Sequence, residues 1–559
     1  MGTASKQRKA SAARMTQPRA RRREPILAQI AGFVDLFVWL LVLKSFFLPL
    51  FIIPTGSMAE TLAGAYATHS CPSCGHEYAV GFHDNKPGPI IQCPNCRYRE
   101  GTGTKGVCPD CRKPAFAPFQ RTDGLSGVGC RLCRYHEMLD RATPMEPLRR
   151  KSGDRIVVHG WPYAIGGQLG PQRWDVVVFK VPKDGQTNYI KRLIGLLGEK
   201  IEIIDGDVFV TDPNTGETQI ARKTRHAQRA LWFPYYDHDC HPREPSSAAR
   251  YHPRWIALRE NSGWTALDTR MPRFDGVDRP PAEIQFVTRL GDNPPPGDIT
   301  DVYGYNLPAH PKLQNVVSDL RLSAEVAIEA GDGYVELSAS KYSDRFYARL
   351  YANGRVTLEH SGSGSDEREL WKEVSVTAPP RDVRFALANT DYVVAVEIDG
   401  ETVIESTPAQ YGIGPEEADV RSRLPTDARR PIVRVAAEHV RAKLAHLLIQ
   451  RDVFYTSRSL HNSERAGIGT QGHPIQLGPD QYFVCGDNSP ASLDSRWWAG
   501  QPLGAHLRKA KEEGKYQIGT VPADQLIGRA FFVYWPGFMP LFPGLPNCLP
   551  DLGRVRWIH

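Results

Sequence analysis

An apolar run of 18 residues, Ile26 to Leu43, follows a strongly basic N-terminal tail, and it limits what this chain can fold into more than any other feature. Only Gln29, Gly32 and Asp35 interrupt the run. As a helix it would rise about 27 Å, close to the thickness of the hydrocarbon core of a bilayer. The run therefore predicts an uncleaved signal anchor, a single transmembrane helix over residues 26–43.

The basic residues of the tail set the expected orientation. Residues 1–24 hold eight Lys or Arg against one acid, Glu24, so this segment accounts for the whole net charge of +7. The rest of the chain is neutral overall, which argues against a nucleic-acid partner. By the positive-inside rule, we expect residues 1–25 in the cytoplasm and the part after Lys44 outside it, at the cell membrane.

Two other interpretations of the apolar run compete with the anchor. A cleaved signal peptide would need a pair of small residues at the right distance after the apolar core, and none follows. A buried core helix would leave the basic tail unexplained.

Eight of the eleven cysteines form four C-x-x-C pairs, and the spacing C-x2-C-x18-C-x2-C occurs twice between residues 63 and 150. The flanking sequences repeat as well, which indicates an internal duplication. Each copy offers four thiolates on two tight turns, the donor set of a zinc ribbon. The predicted ligands of two structural zinc sites are Cys71, Cys74, Cys93, Cys96, Cys108, Cys111, Cys130 and Cys133.

Other interpretations of these polar and cysteine-rich segments stay open. Outside the cytoplasm, a disulfide framework is the alternative to zinc, although disulfides between adjacent C-x-x-C cysteines are strained redox centres. A further cluster, Asp237-His238-Asp239-Cys240-His241, has side chains that bind metals. An ordinary polar loop is the more common explanation for such a cluster.

Beyond the cysteines, short strands dominate the pattern. Apolar runs rich in β-branched residues at 155–159, 175–181, 189–197 and 200–210 predict strands, with a hairpin turn at Asp205-Gly206. Residues 211–315 lose this periodicity and are rich in Pro, Arg, His and Asp. We expect them to form an irregular insert.

Alternating segments return between residues 316 and 457. At least seven such segments occur there, and Asn353-Gly354 and Asp399-Gly400 have the composition of type I′ hairpin turns. Many short strands joined by tight turns predict an antiparallel β-sandwich. No pattern in the sequence identifies a ligand for it.

A serine and a lysine are the candidates for chemistry. Ser57 lies in the turn Pro54-Thr55-Gly56-Ser57-Met58, a few residues beyond the apolar run. Lys191 lies within the apolar segment Tyr189–Ile194, where burial would lower its pKa enough for it to act as a base near neutrality. The alternative for Lys191 is a side chain that only snorkels at a strand edge.

Five segments in one order place this pair in a family pattern. They are IPTGSMAETL (53–62), SGDRIVV (152–158), RWDVVVFKVP (173–182), NYIKRLIGLLGEKIEI (188–203) and GDNSPASLDSR (486–496). Together with the preceding apolar run, they resemble bacterial type I signal peptidases, which are membrane-anchored Ser/Lys endopeptidases that remove signal peptides from exported proteins.

The resemblance implies a mainly β fold, in which the antiparallel sheets or barrel of the signal-peptidase fold follow one N-terminal transmembrane helix. The protease domain would comprise residues 44–62, 151–210 and 476–559. Three insertions would lie in its loops without disturbing its core. They are the zinc-ribbon pair at 63–150, the irregular segment at 211–315 and the sandwich at 316–457, which is similar to concanavalin-like and laminin G jelly rolls.

The resemblance also implies roles for individual residues. Ser57 would be the nucleophile and Lys191 the general base, with no cofactor for catalysis, and the Thr55 hydroxyl and the Ser57 N–H would form the oxyanion hole. Ser492 would hydrogen-bond the Lys191 amine, and Asp494 and Arg496 would form a supporting ion pair. Signal peptides with small residues at the first and third positions before the cut would bind as an extended strand along Phe51, Ile53, Pro54, Tyr189 and Ile190.

Four positions depart from the family pattern: Glu60 and Leu197 stand in place of prolines, Trp174 in place of a glycine, and Ser489 in place of an arginine. These changes put loop geometry in doubt but remove no catalytic group. One rival interpretation is a soluble, self-cleaving Ser/Lys repressor. The predicted anchor and the segment GDNSPASLDSR (486–496) argue against it. The other is a non-enzymatic cell-surface binding protein, which would have no use for a Ser57/Lys191/Ser492 set.

Overall fold

The computed structural model describes residues 26–42, 48–83, 86–88, 90–101, 108, 116–120, 126–130, 132–134, 136–138, 148–240, 253–287, 298–306, 314–362, 367–376, 382–458, 466–535, 538–540, 547–550 and 552–559. The chain divides into two compact units, Met1–Pro49 and Leu50–His559. The predicted cytoplasmic tail, residues 1–25, lies outside the described residues.

The first unit contains one helix, α1, over Ile26–Val42. Its bounds follow the apolar run closely, and large apolar side chains such as Phe33 and Trp39 are exposed along it. Within the described parts of the chain, no helix is both long enough and apolar enough to cross a membrane.

The second unit is mainly β. Its strands are β1 Leu50–Ile52, β2 Tyr66–Ser70, β3 Glu77–His83, β4 Lys86–Pro87, β5 Ile90–Gln92, β6 Arg99–Gly101, β7 Phe116–Gln120, β8 Ser126–Cys130, β9 His136–Met138, β10 Arg155–His159, β11 Val176–Lys180, β12 Asn188–Gly195, β13 Lys200–Ile204, β14 Asp207–Thr211, β15 Thr218–Ile220, β16 Phe233–Asp237, β17 Trp255–Ala257, β18 Trp264–Thr265, β19 Arg273–Asp275, β20 Ala282–Phe286, β21 Leu320–Lys341, β22 Asp344–Tyr351, β23 Arg355–Ser361, β24 Glu369–Ser375, β25 Val383–Thr390, β26 Val393–Ile398, β27 Glu401–Glu405, β28 Val433–Arg451, β29 Ile475–Gln476, β30 Gln481–Cys485, β31 Val521–Pro522, β32 Leu526–Trp535, β33 Phe538–Pro540, β34 Asn547–Pro550 and β35 Arg556–Trp557.

Helices are short in this unit. The α-helices are α2 Trp161–Ile165, α3 Arg225–Leu231, α4 Pro415–Ser422, α5 Thr426–Arg429 and α6 Ala505–Glu512. The 3-10 helices are Gly56–Met58, Gly167–Leu169, Ser489–Ala491, Ser495–Gly500, Ala523–Gln525 and Leu552–Arg554.

One eight-stranded antiparallel sheet combines strands from all three segments predicted to form the protease domain. Its order is β1-β10-β32-β11-β12-β30-β31, with β35 beside β32. Both faces are covered, because alternate residues of β11 enter different apolar clusters: Val176 and Val178 enter one, and Val177 and Phe179 the other. This double burial explains the continuous apolar run at 175–181.

The predicted hairpin at Asp205-Gly206 is confirmed. It joins β13 to β14, and its two residues have positive φ values of 50° and 93°, as a type I′ turn requires. These strands form a second sheet in the order β15-β14-β13-β29.

Residues 316–457 form most of a 13-stranded sheet that includes two long strands, β21 and β28. The alternating segments predicted as separate strands at 320–328 and 334–337 form the single strand β21, which runs unbroken through Gly331 and Gly333. The segment predicted at 432–435 covers only the start of β28. The first part of β21 pairs with β25 and its last part with β22, while β28 follows it throughout. Alternate residues of β22, β23, β25 and β26 share one apolar core.

The expectation that residues 211–315 are irregular is wrong. Helix α3 and strands β15 to β20 lie there, and β16, β19 and β20 pair directly with β28. These strands are only two to five residues long, too short for alternation to show in the sequence. Buried ion pairs fasten this region and the large sheet together: Lys223 bridges Asp391 and Asp452.

Candidate active site

Ser57 lies in a tight turn immediately after the edge strand β1. The turn is the 3-10 helix Gly56–Met58, and the buried Met58 side chain anchors it in an apolar cluster. Gly56 is required here, because an added Cβ would come within 2.0 Å of the Tyr305 ring. At the start of such a helix the N–H groups have no partner within the helix. The Ser57 N–H therefore has no acceptor within this helix.

The lysine predicted as a base meets this serine. Lys191 lies on β12, and its Nζ is 2.6 Å from Ser57 Oγ and 2.9 Å from the Ile190 carbonyl oxygen. Its side chain is 3% exposed. Burial lowers the pKa of the Lys191 amine to about 8, although Asp494 and Asp487 partly oppose this shift. At pH 7 about a tenth of the amine is therefore neutral, and this fraction rises to about a half at pH 8.

Thr55 directly precedes the helix of the nucleophile. Its backbone is extended, its side chain is exposed, and its hydroxyl does not cap the helix. The Thr55 side chain is therefore open to solvent next to Ser57.

Ser492 does not make the predicted hydrogen bond with the Lys191 amine. Its Oγ is buried and makes no hydrogen bond with any described residue, whereas the Lys191 amine is directed to Ser57 and the Ile190 carbonyl. Ser492 nevertheless lines the site. An added Cβ at Gly486 would lie 2.2 Å from Ser492 Oγ and 2.4 Å from the Ser57 carbonyl oxygen, so this close packing needs glycine.

Asp494 and Arg496 form a fully buried, bidentate ion pair with N···O distances of 2.9 and 2.7 Å. Asp494 also accepts a hydrogen bond from the Gly486 N–H at 2.9 Å. Arg496 donates to the hydroxyl of Ser489, the residue that stands where the family has arginine. The pair therefore fixes the loop that lies against the catalytic turn.

Two residues at the site were missed by the sequence interpretation. The Asn488 side chain donates to the Gly56 carbonyl at 2.9 Å, and its N–H donates to the Ser57 carbonyl at 3.1 Å. Asn306 exchanges two amide hydrogen bonds with Asn488, at 2.6 and 2.8 Å. Asn488 lies within a recognised motif, but no local signal points to Asn306, which is 182 residues away in the chain.

The segment that contains Asn306 is therefore part of the site. Tyr303 donates to the Asp487 carbonyl at 2.8 Å, and Tyr305 donates to the Ala65 carbonyl at 2.9 Å. This segment, from the insertion predicted at 211–315, packs directly on the turn that contains Ser57.

The predicted substrate residues lie along two strand edges. β1 is the edge strand of its sheet and pairs only with β10, and residues 188–191 of β12 pair only with β11 among the described strands. Phe51 and Ile190 contact the same apolar cluster. Tyr189 is partly exposed and Pro54 is exposed, but Ile53 is buried and its side chain cannot line an open surface.

The first cysteine quartet has the spacing of a zinc site. Cys71 Sγ is 3.5 Å from Cys96 Sγ, and Cys74 Sγ is 3.7 Å from Cys93 Sγ, whereas a disulfide needs about 2.05 Å. All four sulfur atoms lie within 4.8 Å of one another. In the second copy Cys108, Cys130 and Cys133 meet the same limit, and Cys111 lies outside the described residues. Tetrahedral zinc bound by thiolates fits these spacings.

Comparisons with known proteins point in the same direction as the geometry. A family model described as signal peptidase, peptidase S26, matches residues 134–258 and 429–535. These ranges include Lys191 and the loop from 486 to 496. Signal peptidase I of Rickettsia akari is 44% identical over 54 residues, which is 10% of this chain and 20% of that protein. Signal peptidase I of Rickettsia typhi is 46% identical over 50 residues, 9% of this chain and 19% of that protein.

The chain thus spans about a fifth of the length of the curated relatives it matches. Among solved structures, the carbohydrate binding module CBM66 from Bacillus subtilis aligns at 12% identity with a TM-score of 0.22, covering 35% of this chain and 95% of the module. That score is too low to indicate a shared fold or ligand.

Proposed function

Since the chain contains a signal peptidase S26 region, we propose that it is a serine endopeptidase that removes N-terminal signal peptides from exported preproteins. The 2.6 Å contact between Ser57 Oγ and the amine of a buried lysine is the observation that supports this most strongly. A buried amine with a pKa near neutrality beside a hydroxyl is the arrangement of an activated nucleophile and its base.

The proposed reaction has two halves. Ser57 Oγ attacks the scissile carbonyl carbon while its proton passes to the neutral Lys191 amine, and the negative charge on the carbonyl oxygen is bound by the Ser57 N–H and the Thr55 hydroxyl. Protonated Lys191 then gives its proton to the leaving amine. In the second half Lys191 takes a proton from water, which hydrolyses the acyl-enzyme and restores the Ser57 hydroxyl.

The substrate would bind as an added strand. Phe51–Thr55 and the first residues of β12 each have one backbone edge that no described strand pairs with, so an extended peptide can hydrogen-bond to those edges beside Ser57 and Lys191. Tyr189, Ile190 and Pro54 would then contact side chains near the cut, and small residues there would fit best.

Cleavage of a preprotein tests the proposal. The full chain in detergent is expected to cut a preprotein with alanine at the first and third positions before the junction, and the mature N-terminus is read by sequencing. A matched preprotein with phenylalanine at the first position should stay intact. Failure to process the alanine substrate, or cleavage that ignores this change, would refute the assignment.

Asn306 provides a test of how the turn is positioned. Asn306→Ala removes two hydrogen bonds that hold Asn488 against the Gly56 carbonyl, so we expect kcat to fall about tenfold, equivalent to about 1.4 kcal/mol, with KM little changed. Steady-state kinetics on the preprotein measure both constants. Asn214→Ala, in an exposed hairpin, is the control and should behave as wild type. A wild-type kcat in the Asn306 variant would show that this contact does not position the nucleophile.

The remaining parts of the proposal concern the chain outside the catalytic pair. The apolar segment at 26–43 attaches the enzyme to the cell membrane, with the N-terminus cytoplasmic and the catalytic unit outside, and the exposed apolar side chains of α1 support this attachment. Each of the two four-cysteine repeats holds one structural zinc ion, and the sulfur spacings support this. Residues 316–457 form an inserted β-sandwich.

A further inference from the structure

We propose a third metal site, built from His76, Asp237 and Cys240, where zinc ties the first cysteine-rich ribbon to the end of strand β16. One ligand atom from each of the three lies within 4.8 Å of the other two. The residues come from two segments far apart in sequence. Their meeting is therefore a product of the fold and not of a local polar loop.

The ligand set suits zinc. A tetrahedral zinc ion with bonds of about 2.0–2.3 Å separates its ligand atoms by about 3.3–3.8 Å. Cys240 Sγ and Asp237 Oδ2 are already 3.8 Å apart. A thiolate and a carboxylate together would neutralise the charge of the ion, which matters because all three side chains are partly buried. The fourth position would be left to water.

The two segments are held rigidly at this point. Asn95, 2% exposed, donates from its side chain to the Cys240 carbonyl at 2.8 Å and accepts from the Asp237 N–H at 2.6 Å. The Asp239 N–H donates to Asp237 Oδ1 at 2.9 Å and so orients the carboxylate. On the ribbon, the His76 carbonyl accepts from the Cys71 N–H at 2.9 Å. Hydrogen bonds that hold the ligand residues in place are typical of metal sites in proteins.

The charge of the surroundings also favours a cation. No described lysine or arginine forms a salt bridge with Asp237, and the site lies near Cys74 of the first cysteine quartet. A metal ion would supply the positive charge that this group of acceptors lacks.

Metal counting on the full chain tests the site. After saturation with Zn²⁺ and dialysis, wild type should hold one more zinc per chain than His76→Asn, Asp237→Asn or Cys240→Ser, and the triple variant should lose only that same one. Asp239→Asn is the matched control, because Asp239 lies in the same turn but pairs with His446, and it should keep the wild-type count. Equal counts in all variants would overturn the proposal, as would a loss of two or more in the single variants.

A second measurement needs no variant. Because a site with three protein ligands should bind zinc more weakly than four thiolates, the chelator 4-(2-pyridylazo)resorcinol should remove one equivalent from wild type before the others. This early equivalent should be missing from Cys240→Ser. Release of all zinc from wild type in one uniform step would overturn the proposal.

Discussion

Replacing Lys191 by alanine is expected to lower kcat/KM for preprotein cleavage by about 10⁴-fold or more. Lys191 is the only described residue that hydrogen-bonds Ser57 Oγ, so without its amine no described group is in place to take the proton. Ser57→Ala should cause a loss of similar size, because it removes the nucleophile that the base activates. The double variant should be no worse than either single one, since the two residues act as a unit. Cleavage rates in detergent, normalised to folded protein, measure all three.

Lys180→Ala is the matched control for this pair. Lys180 is exposed at the end of the neighbouring strand β11, so its loss should leave the rate unchanged. The wild-type rate should rise with pH and level off above about 8, because the neutral lysine is the active form and the pKa of Lys191 is lowered to about 8. A Lys191→Ala variant that keeps most of its activity, or additive losses in the double variant, would contradict the assignment of Lys191 as the base.

The pairing of Ser57 with Lys191 was predicted from the order of five segments that resemble type I signal peptidases, and the structure brings the two side chains together. Neither the glycine turn nor the apolar strand would have identified the pair alone. The hairpins at Asp205-Gly206 and Asp399-Gly400, by contrast, were predictable from local signals. Each turn needs positive φ at two adjacent positions, and each sequence provides residues that tolerate it.

The features that could not be predicted from the sequence depend on contacts between distant segments. The chain passes through the large sheet between Asn306 and Asn488. No sequence pattern near Asn306 predicts its pairing with Asn488. Most of strand β28 was not predicted from the sequence, for a different reason. Its 19 residues carry polar groups such as Glu438 and His439 in the middle, where the pattern of alternation is interrupted. His439 and His446 also adopt positive φ within this strand, so the alternation changes phase there.

The same distinction applies to the predicted hydrogen bond of Ser492. Its loop could be identified from GDNSPASLDSR, yet the contact of one hydroxyl depends on side-chain geometry that the motif does not specify. In the structure the Lys191 amine contacts Ser57 Oγ and the Ile190 carbonyl, and Ser492 Oγ has no described partner. A motif therefore predicted which residues gather at the site more reliably than it predicted their individual contacts.

Asp487→Asn is expected to lower the free energy of unfolding by about 3–5 kcal/mol. Asp487 accepts two hydrogen bonds from Arg192, at 2.8 and 2.7 Å, and both side chains are fully buried. The guanidinium also donates to backbone oxygens of Trp174 and His559, and the Arg192 side chain is fully buried, so water does not replace the lost counter-ion in this structure. An uncompensated charge would then remain in the interior beside the site. Urea unfolding of the full chain, followed by tryptophan fluorescence, measures the change.

An exposed ion pair supplies the control for Asp487→Asn. Glu373→Gln breaks the contact with Arg355, in which the side chains are 42% and 39% exposed, and should cost less than about 1 kcal/mol. Replacing both buried partners, as in Arg192→Met with Asp487→Leu, should recover much of the lost stability, because no charge is then left unpaired. If Asp487→Asn unfolds at the same urea concentration as Glu373→Gln, the buried pair does not stabilise the sheet that positions Lys191. If the double variant regains stability but not its cleavage rate, Arg192 has a role in function apart from its role in stability. Such a role is plausible because Arg192 is next to Lys191 in the chain.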